Sequence, residues 1–311
     1  MKTRDLGYSN DLFILPFDHR GSFQAKLFGI KDREPTAEET KTISFYKRII
    51  YDGFKQALEM GVPADRAGIL VDEQFGSEIV RDVRKDKQTT VCSVAMPAEK
   101  SGQDEFDFEY GHQFEDHIKE FDPTFVKVLV RLNPEGDPDL NHRQMQRLKR
   151  LSDFCHRTHH KFMFELLVPH TEEQLRNCGG SVAQYDASMR PKLMIQSMEM
   201  LQREGIEPDV WKLEGIETSE DSRAVAQQAK AGGRDYVGVI VLGRGENAEK
   251  VKTWLTVAAK TPGLIGFAVG RTVFWDALKG YKDGKHSREA AIKMVADNFA
   301  GFCDLWLKAK K

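Results

Sequence analysis

The chain has 311 residues and a net charge of −2, from 46 Lys and Arg against 48 Asp and Glu, which leaves no overall field to recruit nucleic acid or an anionic membrane and favours a small-molecule partner. Its four cysteines include no Cys-x-x-Cys pair and no apolar run approaches the ~20 residues of a membrane span, so we expect a reduced, soluble, cytoplasmic protein. We expect residues 1–311 to form one domain, because this length is typical of a single α/β barrel.

The first half of the chain alternates apolar strands with polar turns and amphipathic helices. Residues 12–17 form a nearly continuous apolar run, which indicates a strand buried on both faces. Capping-box spacing at 36–39 predicts the start of a long amphipathic helix, and Gly61 marks its end. The pattern then recurs and predicts strands at 67–71, 89–96 and 125–130, and a helix at 140–156.

Residues 98–113 form an unusually long and acidic connection after the third predicted strand. Long connections in compact domains tend to be functional or mobile. The sequence leaves open whether this one is a partial lid or a plain insertion.

The second half of the chain continues the strand-and-helix pattern. The predicted strands lie at 161–169, 209–215, 236–242 and 264–269, and the predicted helices at 191–204, 219–231, 248–260, 272–279 and 287–308. Eight apolar strands joined by crossover connections predict an α/β fold, the (β/α)8 TIM barrel. An open doubly wound sheet is the alternative that the pattern allows.

Two lysines and a glutamate lie inside predicted strands that are otherwise apolar: Lys127, Lys212 and Glu165. Side chains alternate along a strand, so Lys212 shares one face with Val210 and Glu214. If these faces point into the barrel, the two lysines converge on its upper lumen. Glu165 joins them if its own face also points inward.

A buried lysine with a second ammonium beside it has a lowered pKa, because burial and like charge both disfavour the protonated form. Such an amine can attack a ketone and form a Schiff base, which draws electrons away from a carbon–carbon bond. Glu165 would then move the protons. The alternative is that Lys127 and Lys212 are structural ion-pair partners of Glu165 and Glu214, or that they point outward.

Glycine–arginine pairs follow the last two predicted strands, at 243–245 and in Gly270-Arg271-Thr272. These barrels often bind phosphate at that place through backbone N–H groups and a helix N-terminus, and arginine adds two donors. We therefore predict a phosphate site there, with solvated arginines as the alternative.

Four polar residues could lie near strand ends and hold a divalent metal: His19, Asp72, Glu73 and His170. Their spacing matches no ligand signature, so we expect neither a metal nor another cofactor. A metal-dependent reaction stays open as an alternative.

Five short motifs, taken in order, resemble the class I aldolases of the tagatose-bisphosphate aldolase-like group: Asp18-His19-Arg20-Gly21-Ser22, Lys127, Phe164-Glu165-Leu166-Leu167, Trp211-Lys212-Leu213-Glu214 and Gly270-Arg271-Thr272. More closely, the sequence resembles the C-terminal domain of bacterial 5-dehydro-2-deoxygluconokinases of inositol catabolism, and we expect it to stand alone, without the kinase. The resemblance runs from about Leu12 to the loop after the eighth strand. Its specificity comes from the order and spacing of the motifs.

This resemblance implies a (β/α)8 barrel that cleaves a phosphorylated ketose or keto-sugar acid to dihydroxyacetone phosphate and an aldehyde, without a cofactor. It implies that Lys212 forms the Schiff base, that Glu165 is the acid/base carboxylate and that Lys127 is a second active-site lysine. Asp18 matches an acid near the substrate. Together with the phosphate loops, the motifs give the predicted substrate-binding set: His19, Arg20, Arg244, Gly270 and Arg271.

Tagatose-bisphosphate aldolases have glutamine after the strand-one acid, where this chain has His19. We therefore expect the substrate to be 2-deoxy-5-keto-gluconate 6-phosphate, cleaved to dihydroxyacetone phosphate and malonate semialdehyde. The alternatives are another ketose phosphate such as tagatose bisphosphate, or a non-catalytic sugar-phosphate-binding or regulatory barrel. The resemblance also implies a homo-oligomer.

Overall fold

Eight parallel strands form a closed barrel in chain order, with the last strand paired to the first. This computed structural model describes residues 6–311. The alternation of strands and crossover helices makes it a (β/α)8 TIM barrel, as the sequence predicts, and excludes the open sheet. The strands are β1 (Leu12–Pro16), β2 (Ala67–Leu70), β3 (Ser93–Pro97), β4 (Phe125–Arg131), β5 (Lys161–Leu167), β6 (Val210–Glu214), β7 (Gly238–Leu242) and β8 (Leu264–Ala268).

Helices surround the barrel and cover its apolar outer surface. Each helix that the sequence predicts is found, with its ends within three residues of the expected positions. None of the helices in residues 6–311 combines the length and apolar character that crossing a membrane requires. The helices are α1 (Gly21–Phe23), α2 (Ala37–Glu59), α3 (Glu73–Lys85), α4 (Phe114–Phe121), α5 (Pro138–Thr158), α6 (Glu172–Asn177), α7 (Val182–Ser188), α8 (Arg190–Arg203), α9 (Ser219–Lys230), α10 (Ala248–Ala259), α11 (Arg271–Lys282) and α12 (Arg288–Ala309), with a π-helical turn at Gln24–Phe28 and a 3-10 turn at Gly111–Gln113.

The start of α2 shows how a local sequence signal becomes structure. Thr36 Oγ1 accepts a hydrogen bond from Glu39 N, and Glu39 Oε2 accepts one from Thr36 N at 2.8 Å. This reciprocal pair is the predicted capping box, which satisfies two backbone donors that the first turn leaves open.

Helix α3 was not predicted, and tertiary packing explains why. It contains Gly76, which disfavours a helix in isolation. A Cβ at Gly76 would lie 2.1 Å from Val71 Cγ2, so glycine lets the helix approach the end of β2 closely. Packing against the barrel therefore overrides the local preference.

Strand β3 is shorter than its apolar run suggests. The predicted strand begins at Thr89, whereas the observed strand begins at Ser93. Turns replace its first residues, because Thr90 N donates to Asp86 O and Cys92 N donates to Thr89 O. These local hydrogen bonds compete with pairing in the sheet.

Apolar side chains fill the lower half of the barrel. They form one buried cluster: Leu12, Ile14, Leu70, Ala95, Phe125, Met163, Val210, Ile240, Ile265 and Ala268. Because the lumen is closed from below, a ligand reaches its upper part from the C-terminal ends of the strands, where TIM barrels carry their sites.

A buried ion pair joins α2 to the end of β2. Lys47 Nζ contacts Asp72 Oδ1, and both side chains are excluded from solvent. Asp72 also caps α3 by accepting a hydrogen bond from Phe75 N at 2.8 Å. Burial lowers the pKa of Lys47 although Asp72 opposes the change, so desolvation of the pair is costly.

Replacing Lys47 with methionine is expected to lower the free energy of unfolding by about 3–5 kcal/mol, because Asp72 is then a buried charge without its partner. Urea denaturation measures the change. The double variant Lys47→Met/Asp72→Asn should recover most of the loss, since asparagine keeps the cap without the charge. Lys41→Met, which removes one partner of an exposed ion pair of the same helix, should change the free energy of unfolding by about 1 kcal/mol or less. An equal loss of this free energy in Lys47→Met and Lys41→Met would contradict this account.

Candidate active site

The C-terminal end of the barrel opens into a cavity of about 350 Å³. A volume of this size suits a small organic ligand. The residues that the sequence predicts for the site all line it: Asp18, His19, Arg20, Lys127, Glu165, Lys212, Arg244, Gly270 and Arg271.

Glu165 and Lys212 face each other across two neighbouring strands. They are Cα partners in the parallel pairing of β5 and β6, so their side chains emerge on the same side of the sheet. Lys212 Nζ lies 2.7 Å from Glu165 Oε2, and both side chains are buried. The amine therefore has a carboxylate in direct contact that can accept its proton.

Lys127 is surrounded by carboxylates. Its Nζ lies 3.0 Å from Asp18 Oδ2, 2.6 Å from Glu99 Oε1 and 3.0 Å from Glu165 Oε2. Burial alone would lower the pKa of Lys127, but the three carboxylates raise it well above its ordinary value. The expectation of a lowered pKa is therefore wrong for Lys127, which is a fixed cation that holds the three acids together.

Two of these carboxylates are held in the ionised form. Burial alone would raise the pKa of Glu165, but Lys127 and Lys212 bring it below its ordinary value. The pKa of Asp18 is lowered in the same way, against the effect of burial, chiefly by Lys127. One oxygen of Glu165 touches both lysines, so this carboxylate connects the fixed cation to the second amine.

Glu99 is a site residue that the sequence analysis missed. Its Oε1 contacts Lys127, whereas its buried Oε2 has no hydrogen-bond partner. Burial raises the pKa of Glu99 despite Lys127 and Arg20. Its backbone carbonyl accepts a hydrogen bond from Arg20 Nη2 at 2.7 Å. No sequence signal distinguishes Glu99 from the other acids of its connection.

The connection at 98–113 is an anchored wall of the cavity. Glu99 and Phe108 pair in a short antiparallel bridge, and the Phe106 and Phe108 rings are buried. Phe106 N donates a hydrogen bond to Gln144 Oε1 of α5 at 2.8 Å. These contacts tie the segment to the barrel, and it contributes part of the lining: Glu99, Lys100, Ser101, Gly102 and Gln103.

Protein carboxylates neutralise two of the predicted substrate-binding arginines. Arg20 Nη1 lies 2.9 Å from Glu109 Oε2, and this ion pair links the loop after β1 to the connection at 98–113. Arg244 contacts Asp186 and also Glu214, the latter at 3.1 Å. Both guanidinium groups line the cavity with their charge already matched.

Arg271 is placed differently, at the start of α11. Its Nη2 donates to the carbonyl of Arg244 at 3.1 Å. Gly245 has a φ of 78°, a conformation that favours glycine, and it lets the guanidinium lie directly against the main chain there. Gly270 caps α11 without a side-chain hydrogen bond, which leaves the first N–H groups of the helix open. Positive charge and open N–H groups thus meet at one edge of the cavity, an arrangement suited to phosphate.

His19 presents a neutral ring to the cavity. Burial lowers its pKa to about 4 despite the nearby Asp18 carboxylate. Its Nδ1 is buried without a hydrogen-bond partner, and the ring packs edge-on against Phe274 at a centroid distance of 5.9 Å. A neutral imidazole offers one donor and one acceptor, which suits an uncharged polar group such as a hydroxyl.

The remaining strand-end candidates serve the protein itself. Asp72 caps α3, Glu73 contacts His117 Nδ1 at 2.9 Å, and His170 packs against the Tyr185 ring. Within residues 6–311, no three His, Cys, Asp or Glu side chains are grouped to hold a metal ion.

By its fold and its cavity, the protein is a TIM barrel with two buried lysines that share a carboxylate. The chain belongs to the family described as "Uncharacterized protein conserved in bacteria (DUF2090)", which it matches over residues 2–310. A comparison with curated proteins gives no match.

Among the solved structures that resemble this one, two illustrate the shared fold. Fructose-bisphosphate aldolase from Plasmodium falciparum, solved with TRAP and a small-molecule inhibitor, is 14% identical with a TM-score of 0.60, over 99% of this chain and 94% of that one. Cgl0159 from Corynebacterium glutamicum is 17% identical with a TM-score of 0.56, and the match covers 93% of this chain and 85% of that one. At these identities the likeness establishes the fold alone.

Proposed function

We propose that the protein is a Schiff-base-forming carbon–carbon lyase, an aldolase that acts on a phosphorylated ketose. The observation that carries the proposal is the contact of Lys212 with Glu165, whose same oxygen also contacts Lys127. A buried amine beside an ionised carboxylate has the two groups that imine formation requires. The fold shared with an aldolase supports the proposal, as does the resemblance of the sequence motifs.

In the first step, Lys212 transfers a proton to Glu165 and the neutral amine attacks the ketone carbon. A proton moves from the nitrogen to the former carbonyl oxygen and gives a carbinolamine. Glu165 then returns its proton to the hydroxyl, which leaves as water, and an iminium ion forms on Lys212. Each proton is accounted for, and Glu165 is ionised again.

In the second step, Glu165 accepts the proton of the hydroxyl on the carbon next but one to the iminium carbon. The bond between this hydroxyl-bearing carbon and the carbon adjacent to the iminium carbon breaks, its electron pair moves toward the iminium nitrogen to give an enamine, and the aldehyde leaves. Glu165 protonates the resulting enamine at carbon. Water then hydrolyses the iminium ion, which releases dihydroxyacetone phosphate and restores Lys212. The water taken up here balances the water released before.

We further propose that the substrate is 2-deoxy-5-keto-gluconate 6-phosphate, with malonate semialdehyde as the aldehyde product. The resemblance to the C-terminal domain of 5-dehydro-2-deoxygluconokinases supports this choice. The phosphate would lie against Arg271 and the open N–H groups of α11. The neutral His19 ring would face a hydroxyl of the sugar.

Turnover of a substrate panel tests the proposal. Purified protein is mixed with 2-deoxy-5-keto-gluconate 6-phosphate or tagatose 1,6-bisphosphate, with and without a strong chelator, and dihydroxyacetone phosphate is measured with a coupled dehydrogenase. We expect the keto-sugar acid to be cleaved faster, at a rate that the chelator leaves unchanged. Faster cleavage of the bisphosphate would replace the substrate, and loss of activity with chelator would indicate a metal. Calorimetric binding without any turnover would contradict the lyase and favour a regulatory barrel.

Replacing Arg271 with alanine is expected to raise KM for the phosphorylated substrate roughly 10- to 100-fold, the effect of losing a charged hydrogen bond. Steady-state kinetics measure it, and inhibition by inorganic phosphate should weaken in parallel. Arg176→Ala, at an exposed ion pair of α6, serves as the control and should leave both values unchanged. Equal phosphate inhibition of the Arg271 variant and the wild type would contradict this phosphate site.

A further inference from the structure

Arg131 lies at the C-terminal end of β4 and points into the cavity. It shares the inner face of that strand with Lys127 and Leu129, and all three line the cavity. Its Nη1 donates a hydrogen bond to the Gln103 carbonyl at 2.5 Å. Within residues 6–311, no carboxylate lies within ion-pair distance of Arg131.

This separates the arginines of the cavity into two kinds. The charges of Arg20 and Arg244 are matched by protein carboxylates. Arg131 and Arg271 each bind a main-chain carbonyl, and in the described part of the chain neither meets a carboxylate. A half-buried guanidinium keeps donors free for an anion that comes from outside the protein.

The two unmatched arginines stand on opposite sides of the cavity. Arg131 ends β4 and Arg271 follows β8, and these strands are four steps apart in either direction around the closed barrel. Lys212 on β6 lies in the lumen between them. A substrate that forms an imine with Lys212 can therefore extend toward an arginine at each end.

The groups that the 98–113 wall and α5 present near Arg131 indicate which anion fits there. Lys100, the other cation of this wall, is paired with Asp107 at 2.7 Å. The next helix, α5, is capped by the Asp137 side chain, so it offers no open N–H groups. One free guanidinium fork matches a carboxylate better than a phosphate, which carries more charge.

We propose that Arg131 binds a carboxylate at the end of the substrate that is farthest from Arg271. The inference rests on the proposed function and adds to it: Arg131 determines that the aldehyde fragment is acidic. Dihydroxyacetone phosphate lacks this end, so steps that involve it alone do not use Arg131.

Variants of Arg131 test the subsite with two reactions. The first is exchange of dihydroxyacetone phosphate protons with D2O, followed by NMR, which reports imine and enamine formation at Lys212. The second is condensation of dihydroxyacetone phosphate with malonate semialdehyde. Arg131→Met is expected to lower kcat/KM for the condensation roughly 10- to 100-fold through KM for the aldehyde, and to leave the exchange within about twofold.

Two further variants separate charge, geometry and folding. Arg131→Lys keeps the charge without the fork and should give a smaller loss in the condensation alone. Arg203→Met removes an arginine of an exposed ion pair of α8, outside the cavity, and should behave as the wild type. Thermal unfolding checks that each variant is folded.

The outcomes distinguish the subsite from the proposed function. Absence of proton exchange in the wild type would overturn the proposed function, and the subsite with it. Exchange in the wild type with equal losses of exchange and condensation in Arg131→Met and Arg131→Lys would overturn the subsite alone. A loss confined to cleavage of tagatose 1,6-bisphosphate, with the acid unaffected, would also overturn it, because the bound anion would then be a phosphate.

Discussion

Lys212→Met is expected to lower the rate of cleavage by on the order of 10⁴- to 10⁶-fold, the scale on which enzymes lose activity without their covalent nucleophile. The reason is that the other buried amine that lines the cavity cannot replace it. Lys127, the second buried lysine, is held as a cation by three carboxylates. Steady-state cleavage and single-turnover kinetics measure the loss.

Lys212→Arg is the matched control for the loss of charge. It keeps a cation beside Glu165 but offers no amine that forms an imine, so it should be as inactive as Lys212→Met. Calorimetry with inorganic phosphate should show that both variants keep the phosphate site. Cleavage by Lys212→Arg within tenfold of the wild-type rate would mean that Lys212 acts through its charge.

Glu165→Gln is expected to lower kcat roughly 10²- to 10⁴-fold, the usual contribution of a positioned acid–base group. Glutamine keeps the shape and the contacts with Lys212 and Lys127, but it cannot carry a proton between the amine, the hydroxyl and the enamine. The rate should fall both in imine formation and in cleavage. Rapid-quench borohydride trapping measures the first of these, and release of dihydroxyacetone phosphate measures the second.

The pH profile of the wild type adds a check on Glu165. Both lysines hold the pKa of this carboxylate below its ordinary value of 4.5. Ionised Glu165 is the active form, so its protonation should reduce activity only below that pH. Glu73→Gln, at a strand-end carboxylate that contacts His117 outside the cavity, should retain the wild-type rate and profile. A rate for Glu165→Gln within twofold of the wild type would exclude the carboxylate from proton transfer.

The barrel could be predicted because its strands are buried on both faces and are therefore continuous apolar runs. Residues 12–17 and 264–269 show this most clearly, and β1 and β8 lie there. The prediction of individual strands and helices failed where local hydrogen bonds or tertiary packing decide whether an element forms and where it begins. The turn that ends at Cys92 shortens β3, and the contact of Gly76 with Val71 allows α3. Neither effect has a periodic signature.

The site could be predicted in part, because a charged residue in an apolar strand stands out. Lys127, Glu165 and Lys212 were visible for that reason, and they meet as expected. Their protonation states depend on partners that are distant in sequence. Glu99 and Asp18 come from separate connections and set the charge of Lys127, which a strand pattern cannot show.

The partners of the arginines were equally hidden. Arg244 is matched by Asp186, which is 58 residues away along the chain. Arg131, at the end of β4, is left without a carboxylate among residues 6–311. Which guanidinium remains free for a ligand depends on such tertiary contacts, so substrate recognition was less predictable than the chemistry of the lysines.

Borohydride trapping tests the central claim most directly. The protein is mixed with dihydroxyacetone phosphate and sodium borohydride, and the intact protein and its peptides are analysed by mass spectrometry. We predict the addition of one reduced dihydroxyacetone phosphate per chain, located on Lys212, and no addition to Lys212→Met. Absence of the adduct, or an adduct on Lys127 or another lysine while Lys212 stays unmodified, would contradict the assignment of Lys212 as the Schiff-base lysine.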